Sequence, residues 1–236
     1  MKRQTPILWL ALGALMTPIA AHADWAGKGE AGLVLARGNT DATTLSAKVD
    51  ATRTDGDFAN SLGFALLRAS TAGVQSADRY DLHGQSTYKL SDRSYAIGNL
   101  RYENDKFSSF AYQATAAAGL GYKFLDSADT KLSGELGVGY RRSKDRTTDA
   151  QQGDGIVRGA VNFEHSFSAS TKVLDKLLVE SGSSDTGASN DLALQVKMSD
   201  RLALSLDYTI RHHTHVGSPL IKKTDQLTTA NLVFAF

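Results

Sequence analysis

Imidazoles crowd in one place in this chain, at His212-His213-Thr214-His215, where two or three side chains in one loop could hold a metal ion. A solvated loop run is the simpler account of the same residues. His83 alternates with Asp81 and Arg79 and could serve as a general base, but no recognisable motif fixes a serine beside it. His165 lies between Phe163 and Phe167, an interfacial setting. Glu103, Asn104 and Asp105 lack the spacing of a calcium loop, and a local fold bonded through Lys106 or Arg101 suits them better. The sequence contains no G-x-S-x-G, no H-E-x-x-H and no P-loop. The chain is therefore expected not to be an enzyme and to need no cofactor or metal.

The charged residues carry a second kind of chemistry. Basic residues Lys28, Lys48, Arg79, Arg101, Arg158, Lys176, Lys197 and Arg211 fall on the polar parity of alternating segments. Acids Glu30, Asp50, Asp81, Glu103, Glu135, Glu164, Asp191 and Asp207 share that parity. If those segments closed into a barrel, both sets would face its lumen. Opposite charges on opposite walls would set a transverse field across a narrow pore that admits small polar solutes. Charges paired across the axis would instead close the lumen with ion pairs and water.

The segments that must position these residues are strands. Tyr80, Leu82, Gly84, Ser86, Tyr88 and Leu90 interleave with Arg79, Asp81, His83, Gln85, Thr87 and Lys89. The same period of two recurs in 112–124 and 202–211 and marks strands rather than helices. Twelve segments are predicted: 26–37, 42–53, 58–68, 78–90, 93–104, 109–124, 131–142, 155–167, 171–181, 189–198, 201–212 and 224–236. Short turns fall at 54–57, 91–92, 126–129, 168–170 and 199–200. Longer polar stretches fall at 143–154, 182–188 and 213–223. An even number of strands with short turns at one end and longer loops at the other is the plan of an antiparallel transmembrane β-barrel, with short periplasmic turns and longer extracellular loops.

The N-terminus supplies an address. Lys2 and Arg3 precede the apolar run Ile7 to Met16, Pro18 breaks it, and Ala21-His22-Ala23 offers the small residues of a cleavage site. Residues 1–23 are expected to be a removed secretory signal, leaving 24–236 as one barrel domain with 24 basic and 25 acidic residues. A nucleic-acid partner is not expected, because no basic patch stands out. The absence of cysteine excludes a disulfide framework and thiolate metal sites. Of three prolines only Pro219 follows the signal, so long strands keep their backbone donors.

Aromatic residues sort by depth once the chain is threaded up and down. Tyr88, Tyr122, Phe124, Phe163, Phe167 and Phe236 fall at the turn end, and Tyr80, Tyr102, Tyr112, Tyr140 and Tyr208 toward the loop end. Two girdles about an aliphatic belt are what an outer-membrane lipid environment selects. The final strand ends in Phe236, with Phe234, Leu232, Ala230 and Thr228 on the same face. Phe236 and Phe234 are predicted to be the assembly signal read by the barrel-assembly machinery, for which an exposed edge strand is a ready template.

Several blocks resemble a known family. Trp25-Ala26-Gly27-Lys28-Gly29, Gly38-Asn39-Thr40-Asp41, and above all Tyr102 to Gln113, are similar to the bacterial salt-induced outer-membrane (YdiY-like) proteins. Gly119-Leu120-Gly121-Tyr122, Glu135-Leu136-Gly137-Val138-Gly139 and Thr224-Asp225 extend the match over the mature chain. The resemblance implies an outer-membrane location and a link to envelope stress, and it brings no catalytic residues. The function expected is a narrow passive channel for small polar solutes or ions. The alternative is a non-conducting protein supporting envelope integrity under salt or osmotic stress.

Overall fold

A computed structural model describes residues 25–36, 42–216 and 222–236. The expected signal at 1–23 and the block Gly38 to Asp41 lie outside the described residues. Twelve strands follow one another: β1 (Trp25–Ala36), β2 (Ala42–Asp55), β3 (Phe58–Thr71), β4 (Val74–Lys89), β5 (Ser94–Asp105), β6 (Phe110–Asp126), β7 (Thr130–Asp145), β8 (Gln151–Ser166), β9 (Thr171–Gly182), β10 (Thr186–Lys197), β11 (Leu202–His213) and β12 (Thr224–Ala235). Each pairs antiparallel with its sequence neighbours, and β1 pairs with β12, so the sheet closes into a barrel. Closure removes the edges that an open sheet would expose.

The period of two decides which side chains point out. Leu120, Leu136 and Val138 are 62%, 67% and 68% exposed, whereas Thr115, Glu135 and Arg158, of the opposite parity, are under 10% exposed. This is an inverted protein, apolar outside and charged inside. Exposed to water, such a belt would cost about 25 cal/mol for each Å² of apolar surface. A lipid bilayer removes that cost.

The belt is bounded by aromatic rings. At the loop end Tyr80, Tyr102 and Tyr112 stack in a row across β4–β6, with centroids 6.1 and 5.9 Å apart. At the turn end Phe58 meets Tyr88 at 4.7 Å, Tyr122 meets Phe124 at 5.3 Å, and His165 meets Phe167 at 4.8 Å. His165 thus sits in a girdle, its Nδ1 2.9 Å from the Thr130 hydroxyl.

The loop end departs from expectation. The stretches 143–154 and 182–188 are mostly strand, because β7 and β8 pair out to Lys144 and Gln151, and β9 and β10 out to Ser181 and Thr186. Connections of 146–150 and 183–185 remain. Asp145 stabilises the first by accepting from the backbone N–H of Thr147 and Thr148 at 2.9 and 2.8 Å. The β3–β4 connection is two residues, Ala72 and Gly73, with φ of 50° and 77°. Positive φ at both central positions is the geometry of the tight hairpin turn that matches strand twist.

The charged lumen as candidate functional site

The inward residues line one cavity of about 1040 Å³ that runs from Lys131 and Glu164 near the turn end to Phe107–Phe110, His213 and His215 at the loop end. Pairs form first along each wall. On β1 Lys28 lies 3.1 Å from Glu30, and on β2 Lys48 lies 3.6 Å from Asp50. Between β7 and β8 Glu135 accepts from Arg158 at 2.9 Å, and its other oxygen takes the Tyr95 hydroxyl at 3.2 Å. Glu164 pairs with Lys172 at 3.3 Å. Asp191 accepts from the Thr209 hydroxyl at 2.7 Å, and Asp207 from the Asn231 amide at 2.6 Å. Lys176 lines the cavity, but Lys197, on the same parity, reaches the turn-end rim and pairs with Asp200 at 3.1 Å. Its position at the last residue of β10 places it beyond the lumen wall.

The remaining predicted charges form one chain. Lys48 is beside Asp50, and Asp50 Oδ1 lies 3.2 Å from His83 Nε2. His83 Nδ1 is 2.8 Å from Asp81, and Arg101 donates to the other Asp81 oxygen at 2.5 Å. Arg101 also donates to Glu103, which faces Arg79 at 3.2 Å and Arg211 at 3.5 Å. From β2 to β4 and β5 cations and carboxylates alternate, with the His83 ring set between the carboxylates of Asp50 and Asp81. The last step, Glu103 to Arg211, crosses the lumen, because β5 and β11 are six places apart in a ring of twelve.

Room for this chain comes from glycine. A Cβ at Gly63 would stand 2.2 Å from His83 Nε2 and 2.5 Å from Asp50 Oδ1. Likewise a Cβ at Gly121 would overlap the Tyr95 ring at 2.1 Å. Arg79 Nε, Arg211 Nε, Asn99 Nδ2 and Gln113 Nε2 are buried donors without an aligned acceptor, since Arg79 Nε approaches Glu103 off the hydrogen-bond axis. Asp105 accepts from the Phe107 N–H at 2.8 Å, and Lys106 pairs with Asp78 rather than with Glu103.

At the loop end, described residues of different strands and connections touch one another across the mouth. Phe110, 4% exposed, lies against the rings of His213 and His215 at 6.4 and 6.2 Å. Asp185, 2% exposed, accepts from His213 Nδ1 at 2.7 Å and from the His215 N–H at 2.9 Å. Burial works against the Asp185 charge, but the hydrogen bonds from His213 and the His215 N–H outweigh it and hold the carboxyl down at about 2. Arg141 donates to the Asp185 carbonyl, and Arg146 donates to the carbonyls of Asp105 and Phe110 at 2.6 and 3.1 Å. His212 points outward to the Thr224 hydroxyl, so the three histidines do not converge. Asp185 and Gly63 belong to no motif in the sequence, and Phe110 lies in the Tyr102 to Gln113 block with nothing local to mark its contact with His213 and His215.

Phe234 and Phe236 face outward at the closing seam, where the ladder runs from Lys28–Ala235 to Ala31–Leu232. The Phe236 backbone exchanges two 2.9 Å hydrogen bonds with Gly27, and its ring lies over that glycine.

The chain is 25% identical over 220 residues to the uncharacterized protein YdiY of Escherichia coli K12, covering 92% of this chain and 86% of YdiY. Among solved structures it is similar to the NanC porin, with a TM-score of 0.55 and 10% identity over 89% of this chain and 98% of that one. The KdgM porin follows at a TM-score of 0.49 and 8% identity, covering 90% of this chain and 99% of that one. Residues 29–236 match the family described as protein of unknown function, DUF481, and the chain belongs to that family.

Proposed function

We propose that the protein is an outer-membrane barrel, exported by cleavage of residues 1–23, that acts as a narrow passive channel for small polar solutes or ions and catalyses no reaction. The observation that carries this reading is the cavity of about 1040 Å³ along the barrel axis, lined by charged side chains. The Arg211–Glu103 bridge narrows it. Both partners keep some contact with lumen water, at 22% and 15% exposure. At 3.5 Å the contact is longer than an ordinary charge-assisted hydrogen bond, so it narrows the lumen without the geometry of a tight seal. A barrel of similar fold is a porin, which fits this reading. Delivery to the membrane would use the barrel-assembly machinery, reading the β12 edge and Phe236.

The contacts of Phe110, His213, His215 and Asp185 at the mouth favour a second reading, a non-conducting barrel that supports the envelope under salt or osmotic stress. Swelling of proteoliposomes in a size series of neutral sugars separates the two. The channel reading expects swelling with small polyols and pentoses and none with oligosaccharides. A folded barrel that passes none of them and carries no ion current in planar bilayers would favour the second reading.

A further inference from the structure

His83 stands between two carboxylates. Its Nδ1 is 2.8 Å from Asp81 Oδ1 and its Nε2 is 3.2 Å from Asp50 Oδ1. A neutral imidazole has one N–H and one lone pair, whereas an ionised carboxylate only accepts. One of these two contacts would then set lone pair against lone pair. Only an imidazolium donates at both. The carboxylates are themselves kept ionised by cations, Asp81 by Arg101 at 2.5 Å and Asp50 by Lys48 at 3.6 Å.

Every strand around His83 fits that state. On β1 and β2 the charged groups facing this site are Lys28, Glu30, Lys48 and Asp50; on β4 and β5 they are Arg79, Asp81, Arg101 and Glu103. The strand between them, β3, contributes no charge and no side chain at this point, only Gly63, where a Cβ would displace the ring. His83 is therefore the one link in the alternating chain whose charge changes in the physiological range.

We propose that His83 is held as an imidazolium between Asp50 and Asp81, and that its proton sets the ion selectivity of the lumen. The selectivity claim rests on the channel reading; the protonation claim does not. Loss of the proton leaves the lumen one charge more negative beside the Arg211–Glu103 constriction. Clefts with low-dielectric walls focus such a charge on passing ions. Raising the pH should then shift the pore toward cations.

Two measurements on the refolded mature protein test this. Long-range ¹H–¹⁵N correlation spectra of the imidazoles, with His83 assigned by its loss in His83→Gln, should show both nitrogens protonated at about pH 7. A neutral single tautomer there would overturn the proposal. Reversal potentials in a potassium chloride gradient from about pH 6 to 9 should show cation preference rising severalfold in the wild type. His83→Gln should be cation-preferring and flat, and His213→Gln should keep the wild-type profile. A conducting wild type with a flat profile would overturn the selectivity claim. Absence of current would overturn the channel reading and that claim together, with the spectra still deciding the imidazolium. Gly63→Ala should move the pH transition of selectivity below that of the wild type, because it pushes the ring off Asp50 while leaving it titratable, and a wild-type profile in that variant would contradict the geometry.

Discussion

Arg211 Nη1 lies 3.5 Å from both carboxylate oxygens of Glu103, although their strands sit on opposite sides of the barrel. Most other lumen charges pair along one wall, Lys28 with Glu30, Arg101 with Asp81, Arg158 with Glu135. Bases and acids are thus interleaved around the lumen rather than segregated to facing walls. The transverse field that the sequence allowed does not arise, and among the ion pairs of the described residues Arg211–Glu103 is the one that joins opposite walls.

The Glu135–Arg158 pair tests how far lumen charges hold the wall. Both side chains are about 5% exposed, and Glu135 also takes the Tyr95 hydroxyl. Removing one partner leaves a buried charge uncompensated, at a cost of about 3–5 kcal/mol. Glu135→Gln is expected to lower the urea midpoint of the folded barrel markedly, and Glu135→Gln with Arg158→Met to recover most of the loss. An unchanged midpoint in the single variant would show that lumen water screens the pair.

The closing seam makes a paired prediction on one strand. A Cβ at Gly27 would meet the Phe236 ring at 2.6 Å and the Asp50 carbonyl at 2.7 Å, while a Cβ at Gly29 meets nothing within 4 Å. Gly27→Val is expected to abolish or strongly reduce the heat-modifiable folded band on gels, and Gly29→Val to leave it intact. Equal behaviour of the two variants would contradict the seam geometry.

The loop-end cover carries a pH dependence of definite sign. The Asp185 carboxyl is held down at about 2 from an ordinary 3.8, so its stabilising contribution is full above about pH 4 and is lost as the pH falls toward 2. Hydrogen exchange at Thr186, Thr214 and His215 should accelerate across that window relative to the intrinsic rate. Asp185→Asn should show the faster exchange already at pH 6. Protection that persists unchanged to pH 2 would remove Asp185 as the stitch between the two loops.

Much of the fold was legible because one rule, alternation with period two, repeats in all twelve strands. The segment 171–181, where Leu177-Leu178-Val179 blurs the pattern, is nonetheless regular, with Leu178 turned into the lumen and Leu177 out. The same rule placed Glu103 and Arg211 on the inner face. It could not place them against each other, because their distance depends on the barrel's diameter and stagger, which no local pattern encodes. The loop at 143–154 misled because Asp, Thr, Gln and Gly read as turn chemistry, while ladder pairing carries those residues as strand beyond the apolar belt. His213 read as part of a solvated loop run and is instead bound to Asp185, 28 residues away.

The central claim is that the lumen conducts and that Arg211–Glu103 limits it. Single-channel recording in planar bilayers, wild type beside Arg211→Ser, tests it most directly. Small discrete steps from the wild type and steps about twofold or more larger from the variant are predicted, from removal of the side chain that bridges the lumen. Silence from a wild type shown to be folded by its heat-modifiable mobility, or identical steps from both proteins, would contradict it.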